Sequence, residues 1–328
     1  MPRFYRIYEK NSDNNITKYE KENTIYDIIH NEKTGCFQVG QTIYVANSGH
    51  FHISTKSKEP WKLVTKNEND FIETITNNSN KTIADVAKVR VGIKTNADTV
   101  FIRNDWDELP PEIRPERELL KPILSSYESN KWLSKSNKLN KRYVLYTHIN
   151  KNGKRTPIEL SNFPKAKKYL EQYREKLEER TYLIQANRQW YEIWVPQNPN
   201  AWKEPKIIFP DISPEPKFFF DNNNSIVDGN CYWITINDKY DENLLFLILG
   251  LSNSEVLTKF HDLCFNNKLY SGRRRYFTQY VAKYPLPDIS KNECKEIIKL
   301  VKELINNNAD KIKTENRINA LAYKVYGI

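Results

Sequence analysis

Lys268, Arg273, Arg274, Arg275 and Lys283 fall between Cys264 and Tyr284 with no acidic residue among them. Tyr270, Tyr276, Phe277, Tyr280 and Tyr284 are interleaved with these cations. A guanidinium is a planar fork of donors that matches two phosphate oxygens or the O6/N7 edge of guanine, and flat rings beside it can stack. Ser271-Gly272 interrupts the run, so the three arginines fall on or just after a turn. The plainer reading is a solvated basic loop beside a hydrophobic strand, as charge runs ordinarily are. The rest of the chain decides between the two.

Two further stretches carry donors. Residues 131–142, KWLSKSNKLNKR, hold Lys131, Lys135, Lys138, Lys141 and Arg142 and no acid, a set suited to neutralising phosphates and fixing register. Lys94-Thr95-Asn96 opens a small polar turn after Gly92, where an ammonium, a hydroxyl and an amide can reach base edges. Metal chemistry finds less support. His50 and His52 share a strand face, but no third ligand is near, and surface histidines are the simpler reading. Pro210-Asp211 with Glu215-Pro216-Lys217 spells a Pro-Asp…Glu-x-Lys pattern that could hold magnesium for phosphodiester cleavage. Its carboxylates stand close together among prolines, whereas such sites join two separate strands. Asp288 with Glu293 and Lys295 fails too, because 290–293 reads as a helix cap.

At 328 residues, with 39% hydrophobic and 12% aromatic residues, the chain can bury a full core and divides into two or three units. A net charge of +10 and a pI near 9.1 suit an anionic partner, nucleic acid or a membrane surface. The longest apolar run, 244–251, is far short of the about 20 residues of a membrane span. No apolar stretch near the N-terminus resembles a signal peptide. The four cysteines are scattered without a CxxC pair, so neither a zinc site nor a disulfide framework is indicated. A reduced, cytoplasmic protein is the expectation.

The elements that must position these residues can be read in order. Residues 1–75 form a small β-rich segment, with Phe4 to Tyr8 alternating and 40–46 rich in β-formers. A helix is expected over 68–76, then a polar break at 77–80. Val86, Val89 and Val91, the turn at 92–98 and Val100-Phe101-Ile102 predict a hairpin with a polar tip. Proline in the first turn marks a helix from 163–166 onward, with Tyr169, Leu170, Tyr173 and Leu177 at helical spacing. Trp190 to Ile193, 206–213, 218–221 and 232–234 predict strands, with 222–225 and Asp228-Gly229 as turns between the last two. A buried helix over 243–249 breaks at Gly250 and restarts at a capping box, 252–255. Two amphipathic helices close the chain, one on Cys294, Ile297, Ile298, Val301, Leu304 and Ile305, the other on Ile312, Ile318, Leu321, Ala322 and Val325.

Taken in order, these segments resemble the TaqI-like C-terminal target-recognition (specificity) domain of adenine-specific DNA methyltransferases and fused restriction–modification enzymes. Gly92-Ile93, Lys94-Thr95, the polar turn and Val100-Phe101-Ile102 are similar to its opening. Leu119 to Leu124 resembles its "LKP" segment, followed by the basic connector and the strand Tyr143 to Tyr146. The helix from Phe163 to Arg180, Trp190-Tyr191 and the "PKII.P.IS" stretch 205–213 continue the match. Leu251, Asn253 and Ser254 echo an "LNS" signature that Ser252 interrupts here, and Tyr284-Pro285-Leu286-Pro287 resembles a terminal "LPiP" element. Each motif is short; their collinear order from Lys81 to Ile328 is what is specific.

The resemblance implies an α+β fold, a mixed sheet-containing target-recognition domain over 76–288 with a C-terminal helical hairpin at 289–328. Residues 1–75 would be a separate segment or the tail of a methyltransferase domain. It also implies, upstream, a glycine-rich cofactor strand–turn and an Asn/Asp-Pro-Pro-Tyr/Phe loop for a flipped adenine. Neither stands here: the only Pro-Pro, Pro110-Pro111, has other flanks, and Asn198-Pro199 has no second proline. The expectation is therefore a non-catalytic module that recognises double-stranded DNA for a methyltransferase or restriction catalytic subunit, with S-adenosylmethionine on that partner. Lys131, Lys135, Lys138, Arg142 and Lys268 would meet phosphates. Lys94, Thr95, Asn96 and Arg273 to Arg275 would reach bases, and Tyr270 or Tyr276 would stack or pack the loop, or equally serve as core aromatics. The alternatives are half of a split adenine methyltransferase or restriction enzyme active only with a partner chain, and a protein-interaction domain whose basic face is incidental.

Overall fold

Alternating side chains near the N-terminus form the strand Arg3–Lys10 in a computed structural model that describes residues 3–10, 19–50, 64–135, 141–265 and 272–328. The chain divides into two compact units, one of residues 1–77 with 263–266 and 328, the other of 78–262 with 267–327.

In the first unit Arg3–Lys10 pairs antiparallel with Thr42–His50, which pairs with Gly35–Val39, and Glu20–Glu22 joins the far edge in parallel. Gly40, at φ +60, makes the tight reversal between the middle strands. The helix Ile25–His30 starts at a capping box in which the Thr24 hydroxyl and the Asp27 carboxylate exchange bonds with each other's backbone. Ile28, Phe37 and Ala46 form a small core, with Tyr5, Ile7 and Val39 packed on it. The expected helix runs over Lys66–Asn77 and buries Phe71, Ile72 and Ile75.

The second unit is built on a five-stranded sheet in the order Ala87–Val91, Cys231–Ile236, Lys206–Pro210, Phe219–Asp221, Trp132–Leu133. The last pairing is parallel and the others antiparallel. Lys206–Pro210 is buried throughout because both its faces are covered. On one face Ile208, Phe219 and Trp233 join the main core; on the other, the Phe220 ring stands 5.2 Å from Phe246 of the helix Asn243–Ser252. Lys206 itself is fully buried, its ammonium paired with Asp221 at 3.0 Å and donating to the Trp202 carbonyl. A second sheet, in the order Ile226–Val227, Leu120–Leu124, Tyr143–Leu145, Ile102–Arg103, and the hairpin His148–Lys151/Lys154–Pro157 complete the β structure.

The fold is α+β with mixed sheets, and the C-terminal hairpin is present as Asn292–Ile305 and Lys311–Val325. Five local readings change. Asp98–Phe101 is a helical turn, because the Thr95 hydroxyl accepts from the Ala97 N–H and pairs with Asp98, so the chain coils before Ile102. Trp190 to Ile193 is not a strand; the carbonyls of Trp190, Glu192 and Ile193 are taken by arginine side chains and that of Tyr191 by the Thr147 hydroxyl. Gly250 does not break its helix. A Cβ there would lie 2.6 Å from Ile297 Cγ2 and 3.0 Å from Val301 Cγ2, so glycine lets the C-terminal hairpin approach. The start of the last hairpin is held by Asp288, which accepts from the Ser290 N–H, and not by a serine cap. Between Phe219–Asp221 and Cys231–Ile236 the chain also inserts Ile226–Val227 into the second sheet, so these strands flank Lys206–Pro210 instead of pairing with each other.

Candidate nucleic-acid interface

The register of the central sheet decides which loops meet. Val91 faces Tyr232, Cys231 faces Pro210, Ile208 faces Phe219 and Phe219 faces Trp132. The turn after Val91, the turn before Cys231, the segment after Pro210 and the segment before Trp132 therefore leave from one end of the sheet. The short pair Ile212–Ser213/Arg274–Arg275 extends the same rim. Three stretches far apart in sequence, at 94–96, at 128–131 and at 273–275, are thus brought to one edge.

Backbone bonds lock this rim. Ile93 N–H donates to the Val227 carbonyl at 2.7 Å, Lys94 and Val195 exchange both backbone bonds at 3.0 Å, and Asp211 N–H donates to the Asn230 carbonyl at 3.0 Å. The 92–94 and 228–229 segments touch at glycines: a Cβ on Gly92 would meet the Asp228 carbonyl oxygen at 2.1 Å, and one on Gly229 the Ile93 oxygen at 2.6 Å. Arg180, buried, donates to the carbonyls of Leu177, Thr95, Trp190 and Glu192, which ties the 94–96 turn to the helices behind it. Glu192, also buried, receives Arg188 at 2.9 Å and His148 at 3.1 Å. Burial pushes the Glu192 carboxyl up, but His148, the Gln189 N–H and Arg188 outweigh it and hold the pKa at about 2.

The expected contact residues divide on this frame. Lys94 and Asn96 are exposed; Asn96 takes the left-handed conformation at φ 52 and its amide donates to the Tyr182 hydroxyl at 2.8 Å. Arg273 and Lys135 are exposed, and Lys131 is half-buried. Arg142 lies over the Tyr127 ring at 5.4 Å and pairs with Glu128 at 3.2 Å. It borders a cleft of about 810 Å³ that Lys135 and Lys141 also line. Lys138, Lys268 and Tyr270 lie outside the described residues, as does His52; nothing is described of the His50 side chain.

Other expected contacts are corrected by burial or pairing. Thr95 is 1% exposed and spends its hydroxyl inside the turn. Tyr276 is also 1% exposed, edge-on to Phe218, and is a core ring with no face for a base. Arg274 is held by Asp262 in a two-pronged pair at 2.7 and 2.9 Å, so it braces the loop. Arg275 reaches Asp211 at 3.3 Å and lies over Phe277, with 38% of its side chain exposed. Asp211 is thereby an arginine partner. Among the described residues no three His, Cys, Asp or Glu side chains are grouped to hold a metal ion, and no helix is long and apolar enough to cross a membrane.

Residues at the rim that spacing did not single out are Asp228, Asn230 and Tyr127. Asn230 is exposed and accepts from the Ser126 N–H at 3.0 Å; Tyr127 is 75% exposed. In the sequence Asp228-Gly229 carries only a turn signal, and nothing there says that the turn ends beside Lys94.

Residues 135–286 match the model of the TaqI-like C-terminal specificity domain. The chain is 45% identical to the type II methyltransferase M.BanIII of Aneurinibacillus aneurinilyticus over 99% of its own length and 56% of that protein. It is 25% identical to the type II methyltransferase M.BstVI of Geobacillus stearothermophilus over 70% of this chain and 38% of the relative. It is 24% identical to the type II methyltransferase M.MjaIV of Methanocaldococcus jannaschii, over 82% of this chain and 85% of the relative. The chain thus spans only about half the length of M.BanIII, and less of M.BstVI. In fold it is similar to the type IIL restriction-modification enzyme MmeI, with a TM-score of 0.51 and 15% identity over 75% of this chain and 33% of that one. Residues 135–286 thus match the TaqI-like C-terminal specificity domain, in a chain similar along nearly its whole length to about half of a type II methyltransferase.

Proposed function

We propose that the chain is a sequence-specific double-stranded DNA recognition module of a restriction–modification system. It would supply specificity to an adenine-specific methyltransferase or restriction catalytic subunit and carry no catalytic site of its own. The observation that carries this reading is the convergence, in a chain whose residues 135–286 match a TaqI-like specificity domain, of Lys94, Asn96 and Arg273 on one rim of the central sheet. Lys135, Lys141 and Arg142 line the cleft beside Tyr127 and would meet backbone phosphates. Lys94, Asn96 and Arg273 present donors free of a buried role, which is what reading a base edge requires. Methyl transfer and its S-adenosylmethionine would belong to the catalytic partner.

The test is selection of the purified chain on a randomised duplex pool across a salt series. The expected result is an enriched motif and binding that weakens steeply with salt; salt-insensitive binding or none would favour a protein-interaction domain. A second reading, half of a split methyltransferase, has its support in the methyltransferase relatives. Methyl incorporation into duplex from S-adenosylmethionine by the chain alone would overturn the non-catalytic reading, and incorporation only with a partner chain would establish the split one.

A further inference from the structure

A carboxylate on a surface that receives a polyanion has a cost unless something needs it. Asp228 is such a group. It is half-buried on the rim, and among the described residues no lysine or arginine lies within ion-pair distance of it. Burial raises its carboxyl above the ordinary range and Asp98 adds to the effect, while Arg142 and the Gly229 and Asn230 N–H groups offset part of it. Its neighbours are donors. The Lys94 stem lies against Gly229, with Cγ 3.1 Å from where a Cβ would stand, and the Lys94 side chain is exposed. Asn230 spends its carbonyl oxygen on the Ser126 N–H, which leaves its exposed amide as a donor. The backbone beneath is fixed by the Ile93–Val227 bond, the parallel bridge between Ile93 and Asp228 and the glycine contacts on both sides. An acceptor in the same turn as the Asn230 donor and next to the segment that carries Lys94, on backbone held from both sides, suits a base-pair edge better than a phosphate.

Resting on the DNA-recognition reading, we propose that Asp228 is a specificity-determining residue whose carboxylate accepts from an exocyclic base amine, cytosine N4 or adenine N6, flanked by Lys94 and Asn230 as donors. A base with a carbonyl at that place would leave the carboxylate desolvated and facing an acceptor, so the wrong pair is rejected as well as the right one chosen.

The experiment is duplex selection with the full chain, comparing the wild type with Asp228→Asn and Asp228→Ser, each checked for an unchanged melting transition. Asparagine keeps the shape, and serine gives a second variant should asparagine fail to fold. The expected result is that preference collapses or switches at one base pair by roughly 10-fold, with the other positions and the salt dependence retained. If the wild type enriches a motif and both variants enrich the same one, whether with unchanged or uniformly tighter binding, Asp228 is only a source of repulsion. The proposal then fails while the recognition reading stands. If the wild type enriches no motif, the recognition reading fails and takes the proposal with it.

Discussion

Arg273 and Arg274 are adjacent and chemically identical, yet the fold gives them opposite duties. Arg274 fills a two-pronged pair with Asp262 and Arg273 points to solvent. Arg274→Ala should destabilise the chain by about 3 kcal/mol in urea unfolding, because it strips a partly buried carboxylate of its guanidinium. Arg273→Ala should leave stability within about 0.5 kcal/mol and weaken duplex binding instead. Equal unfolding midpoints for the two variants would contradict this division. The sequence shows three consecutive arginines; that Arg274 is held by Asp262 and Arg275 by Asp211 depends on partners from a helix and a distant loop, which no local pattern displays. His261 sets a second expectation. Burial holds its imidazole down to about 4 against an ordinary 6.5, with Asp262 opposing that shift. A depressed folded value means stability is whole above pH 6.5 and is lost as pH falls toward 4, at about 1.4 kcal/mol per unit. His148, also lowered by burial, adds to that slope. Glu192, with its value near 2, extends the loss below pH 4.5. Melting temperatures measured from pH 7 to 4 should fall, and His261→Gln should make the fall shallower.

At the level of elements, what was legible is what is set locally. Proline at Pro164 starts its helix, the apolar stripes of the last two helices fall where they pack save for Ile312, which is 75% exposed, and the run Lys206–Pro210 is a buried strand. What was not legible is set by distant partners. Trp190 to Ile193 has a strand's composition, but Arg180 and Arg188 take its carbonyls from outside, so it cannot join a ladder. Gly250 looks like a helix breaker until the facing helix is in place, and then it is a seat for Ile297 and Val301. Gly250→Ala should therefore cost about 1 kcal/mol net, the strain of overpacking exceeding the gain in helix propensity. A urea midpoint that rises in the variant would show that the hairpin can yield.

For the whole molecule, a net charge of +10 becomes a directed property only because the sheet register gathers cations from distant stretches at one rim. Lys135→Ala should weaken binding alike for all duplexes and lower the slope of log affinity against log salt by about 1. A change confined to one base position would reassign it to base reading. The strands beneath the rim are sealed, so their loops can vary while the core does not. The Gly92–Asp228 and Gly229–Ile93 contacts set a condition on that variation. Two turns encoded more than a hundred residues apart behave as one inherited trait. A chimaera that imports 92–96 from a relative with another target, but keeps its own 228–230, sets foreign backbone against that seam. Chimaeras that exchange both turns together should fold and bind more often than those that exchange either one.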